Sequence, residues 1–254
     1  MSLGEGVLTR AGVRRDWRLG VERAIEWMTD QLPRPQHLSD HARAANLSPY
    51  HFHRVFQQVT GTTPGRFLAA LRMHEAERLL IRSGLPVTDI AVETGYASLG
   101  TFTTQFTRLA GLSPGRLRSL VDSRGDDRVA DVAGRWAPKR ADGPVGIVDG
   151  GVGVTFACLA GNADKRVVGT GVQRIRFGTV PCGEYRVQAV CLPPATSLAD
   201  SIDRSRLTGW TVAAPRTTTR IPGCHTAADI PLSMRAQRPT DPPLVLALPV
   251  LAAS

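Results

Sequence analysis

The chain has 254 residues, enough for two domains that each bury a core. With 42% hydrophobic and 21% charged residues it falls outside the disordered and fibrous classes. A formal net charge of +9 favours polyanionic partners, nucleic acid ahead of an anionic membrane surface. Lysine occurs only at Lys139 and Lys165, a coding bias rather than a functional device.

Taken in order, residues 1–16 are expected to be a flexible N-terminus. Met1 to Arg15 has neither the apolar core nor the cleavage site of a secretory signal. Val21, Ile25, Met28 and Leu32 then recur on one face of a 3.6-residue period, which predicts a helix. Leu38 to Ala45 reads as a short helix, Asn46-Leu47 as a turn, and Ser48 to Thr60 as a second helix. Ser48-Pro49, Thr63-Pro64 and Ser113-Pro114 each set a hydroxyl N-cap before a proline in the first helical position. A long helix follows from about Pro64 to Arg82. Val87 to Thr94, the Gly95 turn and Ser98 to Ala110 then repeat the plan of the first pair.

A short helix, a tight turn and a second helix able to enter the major groove is the helix-turn-helix design. On the helix from Ser48, the stripe Phe52, Val55, Phe56 and Val59 is predicted to be buried. Tyr50, His53, Arg54 and Gln57 share the opposite face. Arginine can bond guanine bidentately and glutamine adenine. On the later helix Leu99, Phe102, Phe106 and Leu109 are expected in the core, with Gly100, Thr103, Thr104 and Thr107 outward. Threonine discriminates bases poorly, so this second unit is expected to supply affinity and register. At about 1.5 Å per residue the joining helix is roughly 28 Å long, close to the ~34 Å between successive major-groove faces. One chain is therefore expected to place both helices in adjacent grooves.

Past residue 121 the character changes. Residues 122–143 are charged and unpatterned apart from Trp136, and are expected to be a linker. Residues 144–254 are rich in Gly, Pro, Thr and Val, with strands expected at Val167–Val172, Glu184–Leu192 and Leu244–Val250. The fold class is thus two-domain: an all-α, seven-helix double helix-turn-helix domain followed by a mostly β C-terminal domain. Leu244 to Ala253 is too short to cross a bilayer and is broken by Pro249. Cys158, Cys182, Cys191 and Cys224 show no C-x-x-C pairing. A soluble cytoplasmic protein with reduced thiols, and no membrane partner, is expected.

The stretch Leu38-Ser39-Asp40-His41-Ala42 with Ser48-Pro49-Tyr50-His51-Phe52-His53-Arg54-Val55-Phe56 resembles the first unit of AraC/XylS-family regulators. Val87-Thr88-Asp89-Ile90-Ala91, Gly95-Tyr96, Ser98, Phe102, Phe106 and Gly111-Leu112-Ser113-Pro114-Gly115-Arg116-Leu117-Arg118 are similar to the second. The resemblance covers roughly residues 18–120 and implies a DNA-binding domain over 17–121. It further implies DNA contacts from Pro49, Tyr50, His53 and Arg54, and from Leu99, Gly100, Thr103 and Thr104. The family often has arginine where Thr104 stands and a basic residue where Thr107 stands, which weakens sequence reading by the second helix. Most members carry this part last. A minority, like this chain, carries it first.

The function expected is that of a sequence-specific transcriptional regulator, not an enzyme, binding double-stranded operator DNA. A small-molecule effector at the C-terminal domain and RNA polymerase are further candidate partners, and no cofactor and no metal are expected. His51 and His53, two residues apart on a helix, point to different faces and make no metal pair. The sequence allows two alternatives. Pro222-Gly223-Cys224-His225 is superficially similar to the Pro-Cys-His site of DNA alkyltransferases, with Gly223 interrupting it, so an alkyltransferase-like fusion using Cys224 ranks low. The C-terminal half as a pure dimerisation or interaction module is the other, with Tyr185 and Trp210 as core or pocket aromatics.

Overall fold

The computed structural model describes residues 10–136, 148–149, 154–161, 166–169, 174–180, 182–204, 207–213, 218–221, 226–231 and 234–243. Helices occupy the first stretch: α1 (Arg10–Asp30), α2 (Leu38–Ala44), α3 (Pro49–Thr60), α4 (Pro64–Arg82), α5 (Val87–Glu93), α6 (Leu99–Ala110), α7 (Pro114–Arg124) and α8 (Val129–Trp136). The described N-terminal stretch is all-helical, as its periodicity predicts. Two compact units partition the chain, Met1–Arg72 with Arg238–Pro243, and Met73–Gln237 with Leu244–Ser254.

Local chemistry accounts for where the helices start and stop. Ser48, extended at φ −69° and ψ 152°, precedes Pro49, which occupies the first turn of α3 where its missing N–H is no loss. Ser98 accepts a hydrogen bond from Thr101 N, and Ser113 one from Arg116 N, capping α6 and α7. Both inter-helix turns need a left-handed residue. Asn46 supplies it at φ 56°, the one non-glycine with positive φ among the described residues, and Gly95 at φ 81°.

In the first unit the apolar face of α1 (Val21, Ile25, Met28) packs with Ala42, Phe52, Val55, Phe56 and Phe67. Ring centroids of Phe52 and Phe56 lie 5.3 Å apart, as do those of Phe56 and Phe67, the latter edge to face at 89°. Arg72 closes the end of α1's turn by donating to Leu32 O (3.2 Å) and Arg34 O (2.8 Å). His41, 3% exposed, sits against Trp27 and Phe52 with its Nε2 2.9 Å from Gln36 Oε1.

Burial pushes the His41 pKa below its ordinary 6.5, with Asp40 pulling it up and Arg72 and His37 pushing it further down. A lowered histidine pKa means that the unfolded chain binds the proton more readily, so the fold loses stability as pH falls through the unfolded value. The His41 ring is therefore expected to titrate below 6.5 in ring-nitrogen NMR, and a midpoint at or above that value contradicts the packing described.

In the second unit Ile90, Ala91, Phe102, Phe106, Ala110 and Leu117 are buried, and Tyr96 packs edge-on against Phe102 at 5.5 Å. Arg118 on α7 donates to Leu80 O (3.2 Å) in the last turns of α4 and to Leu85 O (2.7 Å) just past its end. The stretch expected to be an unpatterned linker is instead structured over its described part. Helix α7 runs to Arg124 and α8 covers Val129–Trp136, with Val129 and Val132 buried. Two valines carry that burial, so the sequence shows no large-residue stripe there. The N-terminus also differs from expectation, because α1 already begins at Arg10.

Strands follow: β1 (Val148–Asp149), β2 (Val154–Gly161), β3 (Arg166–Gly169), β4 (Arg174–Val180), β5 (Gly183–Leu192), then helix α9 (Leu198–Ile202), β6 (Thr211–Ala213), β7 (Thr218–Ile221), β8 (Thr226–Pro231) and β9 (Met234–Arg235). Among the described residues β1, β2, β5, β6 and β9 pair in that order, with β3 on β2 and β7 on β5, while β4 and β8 pair separately. The β2–β5 ladder is antiparallel from Val154↔Leu192 to Gly161↔Tyr185. The predicted strand at Glu184–Leu192 coincides with β5 and that at Val167–Val172 overlaps β3; Leu244–Val250 lies outside the described residues. No helix among the described residues is long and apolar enough to cross a membrane.

Candidate nucleic-acid interface

Each unit presents one face of its second helix to solvent because the other face is fixed in a core. On α3, Phe52, Val55 and Phe56 are fully buried, and Val59 is half-buried. Pro49, Arg54 and Gln57 are exposed, His53 is half-buried, and Tyr50 is 86% exposed. An aromatic ring so open to water gains nothing from the core, which makes it available for contact with a partner. Arg54 makes no hydrogen bond or ion pair among the described residues. By contrast, Arg43 pairs with Asp40 at 3.6 Å and Arg78 with Glu75 at 2.7 Å. All five positions named from sequence on α3 thus lie off its buried stripe.

On α6, Phe102 and Phe106 are fully buried and Leu109 half-buried. Gly100, Thr104 and Thr107 are exposed, and Thr103 is half-buried. Leu99 corrects an expectation: it is 44% exposed rather than a core residue, because it stands in the first turn immediately after the Ser98 cap. Gly100 has open space where a Cβ would point. Neither α3 nor α6 contains an acidic residue, so no carboxylate on these helices opposes a polyanion.

Sequence reasoning overlooked three exposed cations. Arg108 lies one turn beyond Thr104 on α6, and Arg66 and Arg116 stand in the first turns of α4 and α7. The signal was present: Thr63-Pro64-Gly65-Arg66 and Ser113-Pro114-Gly115-Arg116 are the same motif in both units. In each, the proline is buried and the glycine and arginine are exposed. A cation in the first turn of a helix is well placed to reach a phosphate approaching that end.

A helix-turn-helix family model matches residues 41–120, spanning α2 to α7. Residues 41–120 form a helix-turn-helix domain. Over 107 residues the chain is 33% identical to the HTH-type transcriptional activator RhaS of Pectobacterium carotovorum, covering 42% of this chain and 38% of that one. Over 100 residues it is 30% identical to the bifunctional transcriptional activator/DNA repair enzyme AdaA of Bacillus subtilis, covering 39% of this chain and 47% of that one. The chain spans less than half the length of these curated relatives. The solved DNA-binding domain of AdpA, in complex with a target DNA, is 27% identical with a TM-score of 0.40, covering 41% of this chain and 94% of that one.

The AdaA likeness lies in the helix-turn-helix region and so lends nothing to Cys224, which with His225 falls outside the described residues. Cys182 and Cys191, at either end of β5, are not in disulfides. Among the described residues no His, Cys, Asp and Glu gather as a metal cluster would. Trp210 lies under the Arg204 guanidinium at 5.3 Å, an occupied aromatic face.

Proposed function

We propose that the chain is a sequence-specific, DNA-binding transcriptional regulator in which α3 is the principal base-reading helix. The observation that carries this reading is the exposed Pro49, Tyr50, His53, Arg54, Gln57 face on a helix whose opposite side is locked by Phe52, Val55 and Phe56. The side chains are free while their backbone is fixed, which is the condition for selective contact. Leu99, Gly100, Thr103, Thr104 and Thr107 on α6 add contacts to phosphates and thymine methyl groups. Binding is non-covalent: arginines neutralise phosphates, and the α3 side chains choose the bases.

The length of α4, 19 residues or about 28 Å, supports engagement of successive major-groove faces by one chain. Footprinting on a duplex selected by the chain tests this. Two protected patches about one helical turn apart, roughly 10 base pairs, are expected, whereas a single short patch contradicts paired engagement. The C-terminal part is proposed to be a mostly β domain for effector binding or for interaction, on the strength of the β2–β5 ladder and the strands beside it. Shifts in the melting temperature of the full chain across a metabolite panel separate these roles. A saturable shift supports an effector, and none favours interaction.

A further inference from the structure

Within the second compact unit, the segment leaving β5 is held to the helices by an exchange of orphan backbone groups. At the start of α9, Leu198 N donates to Asp127 O (2.9 Å) and Ala199 N to Gly125 O (3.0 Å). At the start of α8, Val129 N donates to Thr196 O (2.9 Å) and Ala130 N to Pro194 O (3.4 Å). The first N–H groups of a helix have no partner inside it. Here the approach to each helix supplies carbonyls to the start of the other. Ser197 completes the α9 start by accepting from Asp200 N at 3.0 Å.

Side chains from α4 close the same junction. Arg82 forks onto two carboxylates, its Nε 2.9 Å from Asp203 Oδ2 and its terminal nitrogen 2.7 Å from Asp200 Oδ1. Deeper on α4 lies Glu77, 1% exposed, whose Oε1 has no hydrogen-bond partner. Its other oxygen is 3.7 Å from His74 Nδ1, beyond hydrogen-bond reach. Arg204, itself buried, donates to Ser201 O at 2.8 Å just past α9. The charged groups facing Glu77 are therefore His74 on its own helix and Arg204 from the α9 side, with Asp203 facing Arg204 in turn.

We propose that Glu77 is a proton-operated latch: with its carboxyl protonated, residues 193–204 seat firmly on α4, α7 and α8, and ionisation of that carboxyl loosens the seat. The physical cause is desolvation. A carboxylate without a full set of hydrogen bonds is poorly tolerated in a dry site, whereas the neutral acid is not. Burial raises the Glu77 pKa from 4.5 to about 7, against the pull of His74 and Arg204 toward the ionised form. A carboxyl whose closed-state pKa is raised contributes stability that is present at low pH and lost as pH rises through the closed-state value. The Arg82 fork holds the same seat by a separate contact, in which the Arg82 guanidinium and the Asp200 carboxylate each favour the other's charged form.

Hydrogen exchange of the full chain, corrected for intrinsic rates, tests the latch at the amides of residues 125–130 and 196–200. In the wild type, the opening constant is expected to rise on the order of tenfold between about pH 6 and about pH 8.5. Glu77→Gln, an uncharged mimic of the acid, is expected to show the low-pH protection at both. Arg82→Gln is expected to speed opening at both while keeping the rise. A flat wild-type profile, or a rise that survives in Glu77→Gln, overturns the proposal. Should Glu77→Gln fail to fold, the Glu77 carboxyl resonance of the wild type decides: a midpoint near 7 supports the latch and one near 4.5 overturns it. The latch involves no DNA contact, so its failure and that of the regulator reading are separate results.

Discussion

Phe56→Ala is expected to destabilise the first helical unit by about 3–5 kcal/mol, the range for truncating a fully buried aromatic in a close-packed core. Phe56 is 0% exposed and its ring meets two others, Phe52 and Phe67, each at 5.3 Å. Alanine removes both ring contacts and leaves a cavity that rigid neighbours on α3 and α4 cannot fully close. Against a typical domain stability of about 5–15 kcal/mol, that loss approaches unfolding, and DNA binding is expected to fall with it. Tyr50→Ala, at an 86% exposed position, is expected to change stability by no more than about 0.5 kcal/mol. Urea denaturation followed by tryptophan fluorescence measures both. A Phe56→Ala loss below about 1 kcal/mol contradicts the packing described.

Arg54→Ala is the complementary experiment, because it leaves the fold alone and removes a functional group. Arg54 is exposed and makes no hydrogen bond or ion pair among the described residues, so its truncation strands no partner. If the guanidinium bonds a base edge, its loss costs about 1–3 kcal/mol on the preferred duplex, roughly five- to 150-fold in affinity, and much less on an unrelated one. The gap between specific and non-specific binding then narrows. An equal loss on both duplexes makes Arg54 a phosphate contact and moves base reading to Tyr50, His53 and Gln57.

The helical half was legible because its signals are local. Serine-proline pairs announce helix starts, Asn46 and Gly95 announce turns, and phenylalanines at Phe52 and Phe56, then Phe102 and Phe106, mark the buried stripes. The exposed reading faces follow by elimination once those stripes are assigned. Leu99 was misplaced because periodicity alone cannot tell a first-turn residue, which hangs outside the packed layer, from a true core position.

Beyond residue 121 the controlling contacts are long-range. Helix α8 is defined partly by hydrogen bonds from Val129 and Ala130 to carbonyls at Thr196 and Pro194, which no local pattern announces. The Arg82 fork joins residues 118 and 121 positions apart in the chain. Glu77, read locally, is one more polar residue on a helix. Only the packing of α9 and Arg204 makes it a buried acid.

The central claim, that the exposed face of α3 chooses a DNA sequence, is tested most directly by selection from a random-sequence duplex library. The wild-type chain and a Tyr50→Ala, His53→Ala, Arg54→Ala triple variant are carried through the same rounds, and the recovered duplexes are sequenced. The wild type is expected to enrich a defined motif, and the folded variant to lose base preference where α3 lies while keeping salt-sensitive affinity for duplex. Recovery of the same motif by both proteins, or of none by the wild type, contradicts the claim.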